Sequence, residues 1–225
     1  MRALVLAASV VLASCASVAG APDQPPPFAT APAAVTAPAA AANYPIAVDL
    51  PAGSYRLDPR HASVNFRIRH MDLAWFTARF DTRDATLVLD PADPSRSQLT
   101  ASVDATSINT GVLNAQGERA FDRTIGRALG SDTAPAITFT STAIQRTGKH
   151  TAQVTGDLSM NGQTHPVTLD VTFDGGAVDP LRGGSQVLGF SAHGTIDRTQ
   201  WGVTQWQAFT GDDVQIVIEA ELVHG

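Results

Sequence analysis

The stretch Thr164–Gly175, THPVTLDVTFDG, decides the fold class. From His165 its odd positions read His, Val, Leu, Val, Phe, and its even positions read Pro, Thr, Asp, Thr, Asp. Successive side chains of an extended strand point to opposite faces, so the apolar set lies on one face and the polar set on the other. The apolar face must then cover a second sheet, a helix, or the inside of a hollow barrel.

The same alternation recurs outward from this stretch. It appears in SVNFRIRHM (Val64, Phe66, Ile68), QLTASVDA (Leu99, Ala101, Val103), AITFTS (Ile137, Phe139) and QVTGDLSM (Val154, Leu158, Met160). It returns in VLGFSAHGTIDR (Leu188, Phe190, Ala192, Ile196) and in DVQIVIEAEL (Val214, Ile216, Ile218, Ala220, Leu222). The segments Trp75–Phe80 and Ala85–Asp90 are less regular. Turn chemistry separates the runs, and Asn161-Gly162 in MNGQ is a strong two-residue hairpin signal. One helix is expected near 114–131, where Phe121, Ile125 and Leu129 recur at fourfold spacing. About eight to ten strands and one short helix make residues 54–225 an all-β sandwich or closed barrel.

Ahead of this domain the texture differs. MRALVLAASVVLASCA has a cationic start and an apolar run Ala3–Ala13, the pattern of a secretory signal peptide over residues 1–14. Leu12-Ala13-Ser14-Cys15 is similar to a bacterial lipobox, which makes Cys15 the expected lipidation site; the other reading is an ordinary signal cut nearby. Gly20–Gly53 holds 12 Ala and 8 Pro among 34 residues. Residues 15–53 are therefore expected to be a disordered tether, since such a composition buries too little and Pro breaks an Ala helix.

Bulk numbers remove several functions. A net charge of −6, with no basic cluster, argues against a nucleic-acid partner. No apolar run reaches the roughly 18 residues of a membrane-spanning helix. One cysteine allows no internal disulfide. The six histidines form no metal-ligand spacing, and neither a nucleophile elbow nor a phosphate loop is present. No catalytic residue, metal or cofactor is expected, and the protein reads as a binder. His70 and His165 share the inward parity of their strands and suit a barrel rim. The Asp122-Arg123 and Asp197-Arg198 pairs read as local ion pairs or strand-end anchors.

Taken together, several segments resemble the YceI-like proteins, secreted bacterial proteins that bind polyisoprenoid lipids. They are YRLDPRHASVNFRIRHMDLAWFTARFD (Tyr55–Asp81), SINTG (Ser107–Gly111), APAITFTST (Ala134–Thr142), VTGDLSMNGQTHPVTLDVTF (Val154–Phe173), GFSAHGTIDRTQWGV (Gly189–Val203) and DDVQIVIEAEL (Asp212–Leu222). The resemblance implies a lipocalin-like antiparallel β-barrel of about eight strands whose bore holds a long isoprenoid chain. Two departures fall on the cavity wall or mouth. Ala78 stands where the family has Gly, and ERAFDRTIGRALGSDTAPAI lacks the usual His-Leu and Phe-Phe-Asp.

The expected ligand contacts are Phe66, Ile68, His70, Phe76, Phe80, Phe121, Ile125, Phe139, Val171, Phe173 and Phe190. The expected function is a secreted carrier or sink for an amphiphilic isoprenoid-type lipid. The alternative is a structural or interaction lipoprotein whose barrel is filled by its own side chains. Expected partners are the lipid, the membrane through an N-terminal acyl anchor, and a second copy in a homodimer. The expected location is the periplasm, on the outer membrane if Cys15 is acylated and soluble otherwise.

Overall fold

A computed structural model describes residues 50–225 of the chain. The expected signal peptide, Cys15 and the tether up to residue 49 lie outside the described residues. The strands are β1 (Gly53–His70), β2 (Ala74–Phe80), β3 (Arg83–Leu89), β4 (Gln98–Asp104) and β5 (Ile108–Asn109). After helix α1 (Ala120–Ala128) come β6 (Ala136–Arg146), β7 (Thr151–Met160), β8 (Gln163–Asp179), β9 (Ser185–Asp197) and β10 (Thr210–His224).

All neighbouring strands run antiparallel, and β10 pairs back onto β1, from Tyr55↔His224 to His70↔Thr210, which closes the sheet. The N-terminal half of β1 pairs with β3 and its C-terminal half with β2. β2 and β3 are thus two halves of one stave, bent at Asp81-Thr82. Counted this way the barrel has eight strands, with β5 as a two-residue extension beside β2. This is the expected lipocalin-like barrel.

β8 contains the deciding stretch. Val167 and Leu169 are buried while Thr168 and Asp170 are exposed, as the alternation requires. Asn161 (φ 51°) and Gly162 (φ 73°) form the turn between β7 and β8. Both need the left-handed region, which Gly and Asn enter at least cost. The register of β8 on β9 breaks between Phe173 and Gly175. The bulge follows Phe173, so its ring stays on the inner face.

The helix is shorter than 114–131. The Asn114 side chain accepts hydrogen bonds from the amides of Gln116 (3.0 Å) and Glu118 (2.8 Å), folding Asn114–Glu118 into a turn. Local side-chain capture of the backbone competes with helix formation in this way. Gly130, at φ 87°, follows its C-terminal end. Asp122 anchors the helix by accepting from the Thr110 hydroxyl (2.5 Å) and amide (3.1 Å) and from Arg119. Its ion pair is therefore with Arg119, a turn earlier, and not with Arg123.

The barrel has two ends. At the Gly53 end a cluster of Tyr55, Leu87, Leu188 and Leu222 packs with Leu50. The Tyr55 hydroxyl donates to the Pro51 carbonyl at 2.8 Å. Residues 50–53, expected within the tether, are thus tied to the barrel. At the His70 end lie α1 and the Arg198–Trp201 turn. Trp201 is fully buried there, and its indole N–H donates to the Leu158 carbonyl at 3.0 Å.

Candidate functional site

The inward residues do not fill the barrel. They surround a cavity of about 960 Å³, at the upper end of the usual range of small-molecule sites. Native interiors ordinarily leave few voids larger than a water molecule, so a space of this size is a feature of the fold.

All of the expected contact residues lie on its wall. β1 supplies Phe66, Ile68 and His70, and β2 supplies Phe76 and Phe80. Phe121 and Ile125 come from α1, Phe139 from β6, Val171 and Phe173 from β8, and Phe190 from β9. Phe66 and Phe80 pack with tilted rings at 5.7 Å between centroids, and Phe173 and Phe190 likewise at 5.4 Å. The wall keeps its width because small residues oppose large ones: Ala101 pairs with Phe139 across β4 and β6, and Gly156 lies against the Phe139 ring.

The wall also includes residues outside the expected set. Leu99, Val154, Ile216 and Ile218 face the cavity, and their alternating parity was a sufficient signal. Trp206 and Phe209 reach it from the loop after Trp201, where no periodicity marks them. Trp201, equally aromatic, is buried against Leu158 and His165 instead.

The wall is mostly apolar, but polar side chains also line it, among them Arg83, Asp84, Arg146, Lys149, His150 and Arg198. Arg198 is buried and donates to the carbonyls of Val203 (2.7 Å), Gln205 (2.8 Å) and Gly211 (3.0 Å), with Asp212 Oδ1 at 3.2 Å. Arg83 faces inward from β3 and bonds the carbonyls of Asp81 (2.8 Å) and Pro59 (2.7 Å). His70 is exposed at the rim. His165 packs edge-on against Trp201 at 5.1 Å, away from the cavity wall, and its buried Nε2 has no partner.

Outside the barrel Asp58, His61 and Glu221 bring their donor atoms within 4.8 Å of one another. The Arg182 guanidinium and the His61 ring already hold the Asp58 carboxylate, so a cation's place beside it is taken. Burial would raise this carboxyl, but the Arg60 amide, His61 and Arg182 outweigh it and hold it at about 2. The Asp122 carboxyl is likewise lowered: its burial is outweighed by Thr110 and Arg119.

The family model of the YceI-like domain matches residues 55–222. Protein YceI of Salmonella newport is 31% identical over 172 residues, covering 76% of this chain and 86% of that protein. Burkholderia cenocepacia BcnA has a similar structure, with a TM-score of 0.62 at 21% identity over 73% of this chain and 98% of BcnA. A polyisoprenoid binding domain from Saccharophagus degradans aligns with a TM-score of 0.54 at 12% identity, over 78% of this chain and 100% of that domain. At these identities the two structures are likenesses of fold.

Proposed function

The chain belongs to the YceI-like domain family, and on that premise we propose that its barrel binds one long apolar lipid of the isoprenoid type. The observation that carries this reading is the apolar cavity of about 960 Å³ inside a closed barrel. The sheet closes on itself through β10 and β1, so most of the wall offers an incoming lipid side chains and few backbone polar groups. Burying lipid surface there is favourable by about 25 cal/mol per Å², or roughly 2.5 kcal/mol for each 100 Å². The name of the Saccharophagus domain, polyisoprenoid binding, supports the same ligand class. The alternative of a barrel filled by its own side chains is disfavoured by the same open volume.

The ligand-contact residues are those named above on the cavity wall, with Trp206 and Phe209 added at the mouth. The role proposed is that of a secreted carrier or sink, held in the periplasm by acylation of Cys15, with residues 15–49 as the tether. Two acyl chains suffice for stable anchoring, whereas one is marginal.

The test is native mass spectrometry of the full chain purified from its own host, followed by extraction and identification of the ligand. One apolar lipid per chain is the expected result. Protein that never carries extractable lipid would end the reading.

A further inference from the structure

Large apolar side chains are exposed together at the His70 end. Leu73 is 78% exposed and Met71 57%, both at the tip of the β1–β2 hairpin, and Trp75 follows on β2. Phe121 on α1 and Trp206 and Phe209 on the neighbouring loop are exposed beside them. These pieces touch: the Met71 amide donates to the Phe209 carbonyl at 2.7 Å, and the Phe121 and Trp206 rings lie 6.3 Å apart. Phe121, Trp206 and Phe209 also line the cavity, so the outer rim and the inner wall form one continuous apolar surface. Contiguous exposed patches of this kind mark interaction sites in soluble proteins.

The backbone holds these side chains outward at a cost. Four non-glycine residues among those described have left-handed φ, and three of them are Met71 (50°), Asp72 (55°) and Trp206 (60°). A methionine or tryptophan has no short polar side chain to favour that conformation. The bonds Leu73 N–H to His70 O (3.0 Å) and Phe209 N–H to Trp206 O (2.8 Å) lock the two turns nonetheless.

Cations flank the patch. The guanidiniums of Arg67 and Arg69 lie 4.8 and 5.2 Å from the Trp75 ring centre. Among the described residues neither has a carboxylate within 4.0 Å, whereas Arg119 and Arg123 on α1 are paired. The carboxylate of Asp72 makes no ion pair with them. Tryptophan with adjacent arginines suits the layer where acyl chains meet headgroups.

We propose that this end of the barrel docks on a lipid bilayer, with its apolar rim in the headgroup boundary and Arg67 and Arg69 on anionic lipid. The proposal rests on the lipid-binding reading, since it places the cavity mouth where a lipid would enter. A second copy of the chain fits the rim less well, because a symmetric dimer would bring the unpaired arginines of both copies together.

The experiment uses the full chain carrying Cys15→Ser, so that no acyl group contributes. Binding is measured by co-sedimentation with vesicles of phosphatidylcholine, with and without phosphatidylglycerol, and by the tryptophan emission shift. Tighter binding with phosphatidylglycerol, weakened by salt, is the expected result. Leu73→Asp should lower vesicle affinity on the order of tenfold or more. Leu181→Asp, at a residue 94% exposed at the opposite end, should leave it unchanged. Equal binding by all three proteins overturns the proposal, as does a dimer that Leu73→Asp dissociates without vesicle binding. Cavity lipid is quantified on the same samples. Rim-dependent vesicle binding by protein that holds no lipid would sink the cavity reading and leave the docking surface standing.

Discussion

Phe139 on β6 occupies the space that a side chain at Gly156 on β7 would need. A Cβ on Gly156 would stand 2.4 Å from Phe139 Cζ and 2.5 Å from the Thr140 carbonyl oxygen. The ring can turn toward the cavity, but the carbonyl belongs to the β6 backbone beside the Ser141–Ala143 irregularity. Gly156→Ala should therefore destabilise the barrel by about 1–3 kcal/mol, as overpacking does. Thermal denaturation should show a drop of at least about 3 °C. An unchanged Tm would mean that β6 yields freely at this point.

Phe173→Trp tests the open volume from the other end of the bore. The ring lines the cavity beside Phe190, so a larger side chain has room to grow inward. Lipid retained per chain should fall, while the delipidated protein keeps its stability to within about 1 kcal/mol. In a close-packed interior the same change would cost about 1–3 kcal/mol. Lowered stability with lipid content unchanged would place Phe173 against packed protein.

The direction of Phe173 also marks how far sequence carries. Alternation and the Asn161-Gly162 turn place β7 and β8 without a structure. The Gly175-Gly176 pair signals a bulge, yet only the register fixes it after Phe173. Trp75–Phe80 and Ala85–Asp90 break the alternation because Trp75 and Val88 are large apolar residues on the outer face, and the bend at Asp81-Thr82 also shifts the inward parity from even residues (Phe76, Phe80) to odd ones (Ala85, Leu87). The Asp58–Arg182 pair joins residues 124 apart and leaves no local trace. Alternation does not show the cavity, since it tells which side chains face inward and not how much space they leave; only the resemblance to the YceI-like proteins implied it.

Arg198 is the staple of the loop that brings Trp206 and Phe209 to the mouth. Its side chain is 6% exposed and holds three main-chain carbonyls that have no other side-chain donor among the described bonds. Arg198→Met removes the donor from all three carbonyls, leaves the buried Val203 carbonyl without a partner, and should cost about 1–3 kcal/mol. Hydrogen exchange should accelerate over residues 203–211 more than over β7 and β8. Uniform acceleration across the barrel would show that the arginine supports the whole fold instead of this loop.

Cys15→Ser addresses the anchor. If Cys15 carries the acyl chains, the variant should leave the membrane fraction and appear in the soluble periplasmic fraction of the host. Fractionation followed by immunodetection reads this directly. A variant that stays with the membrane as firmly as the wild type would overturn acylation at this residue.

Asp58 makes an acid-sensitive tie between β1 and the turn at Arg182. Its carboxyl titrates at about 2 in the folded chain, against 3.8 for the free group. The native state therefore binds fewer protons than the unfolded state between these values, and stability rises with pH across that window. The contribution, about 2 kcal/mol, is fully present above roughly pH 4 and is lost as the pH falls through 2. Asp58→Asn removes the charge and leaves Arg182, itself 22% exposed, without its carboxylate partner on β1. Arg182 keeps Asp179 at 3.0 Å, so the variant should be less stable than the wild type by about 2 kcal/mol at neutral pH. Urea titrations repeated from neutral pH down to 2 should show that gap closing between pH 4 and 2. A gap that stays constant over the whole range would mean that Asp58 acts through packing, with its charge contributing nothing.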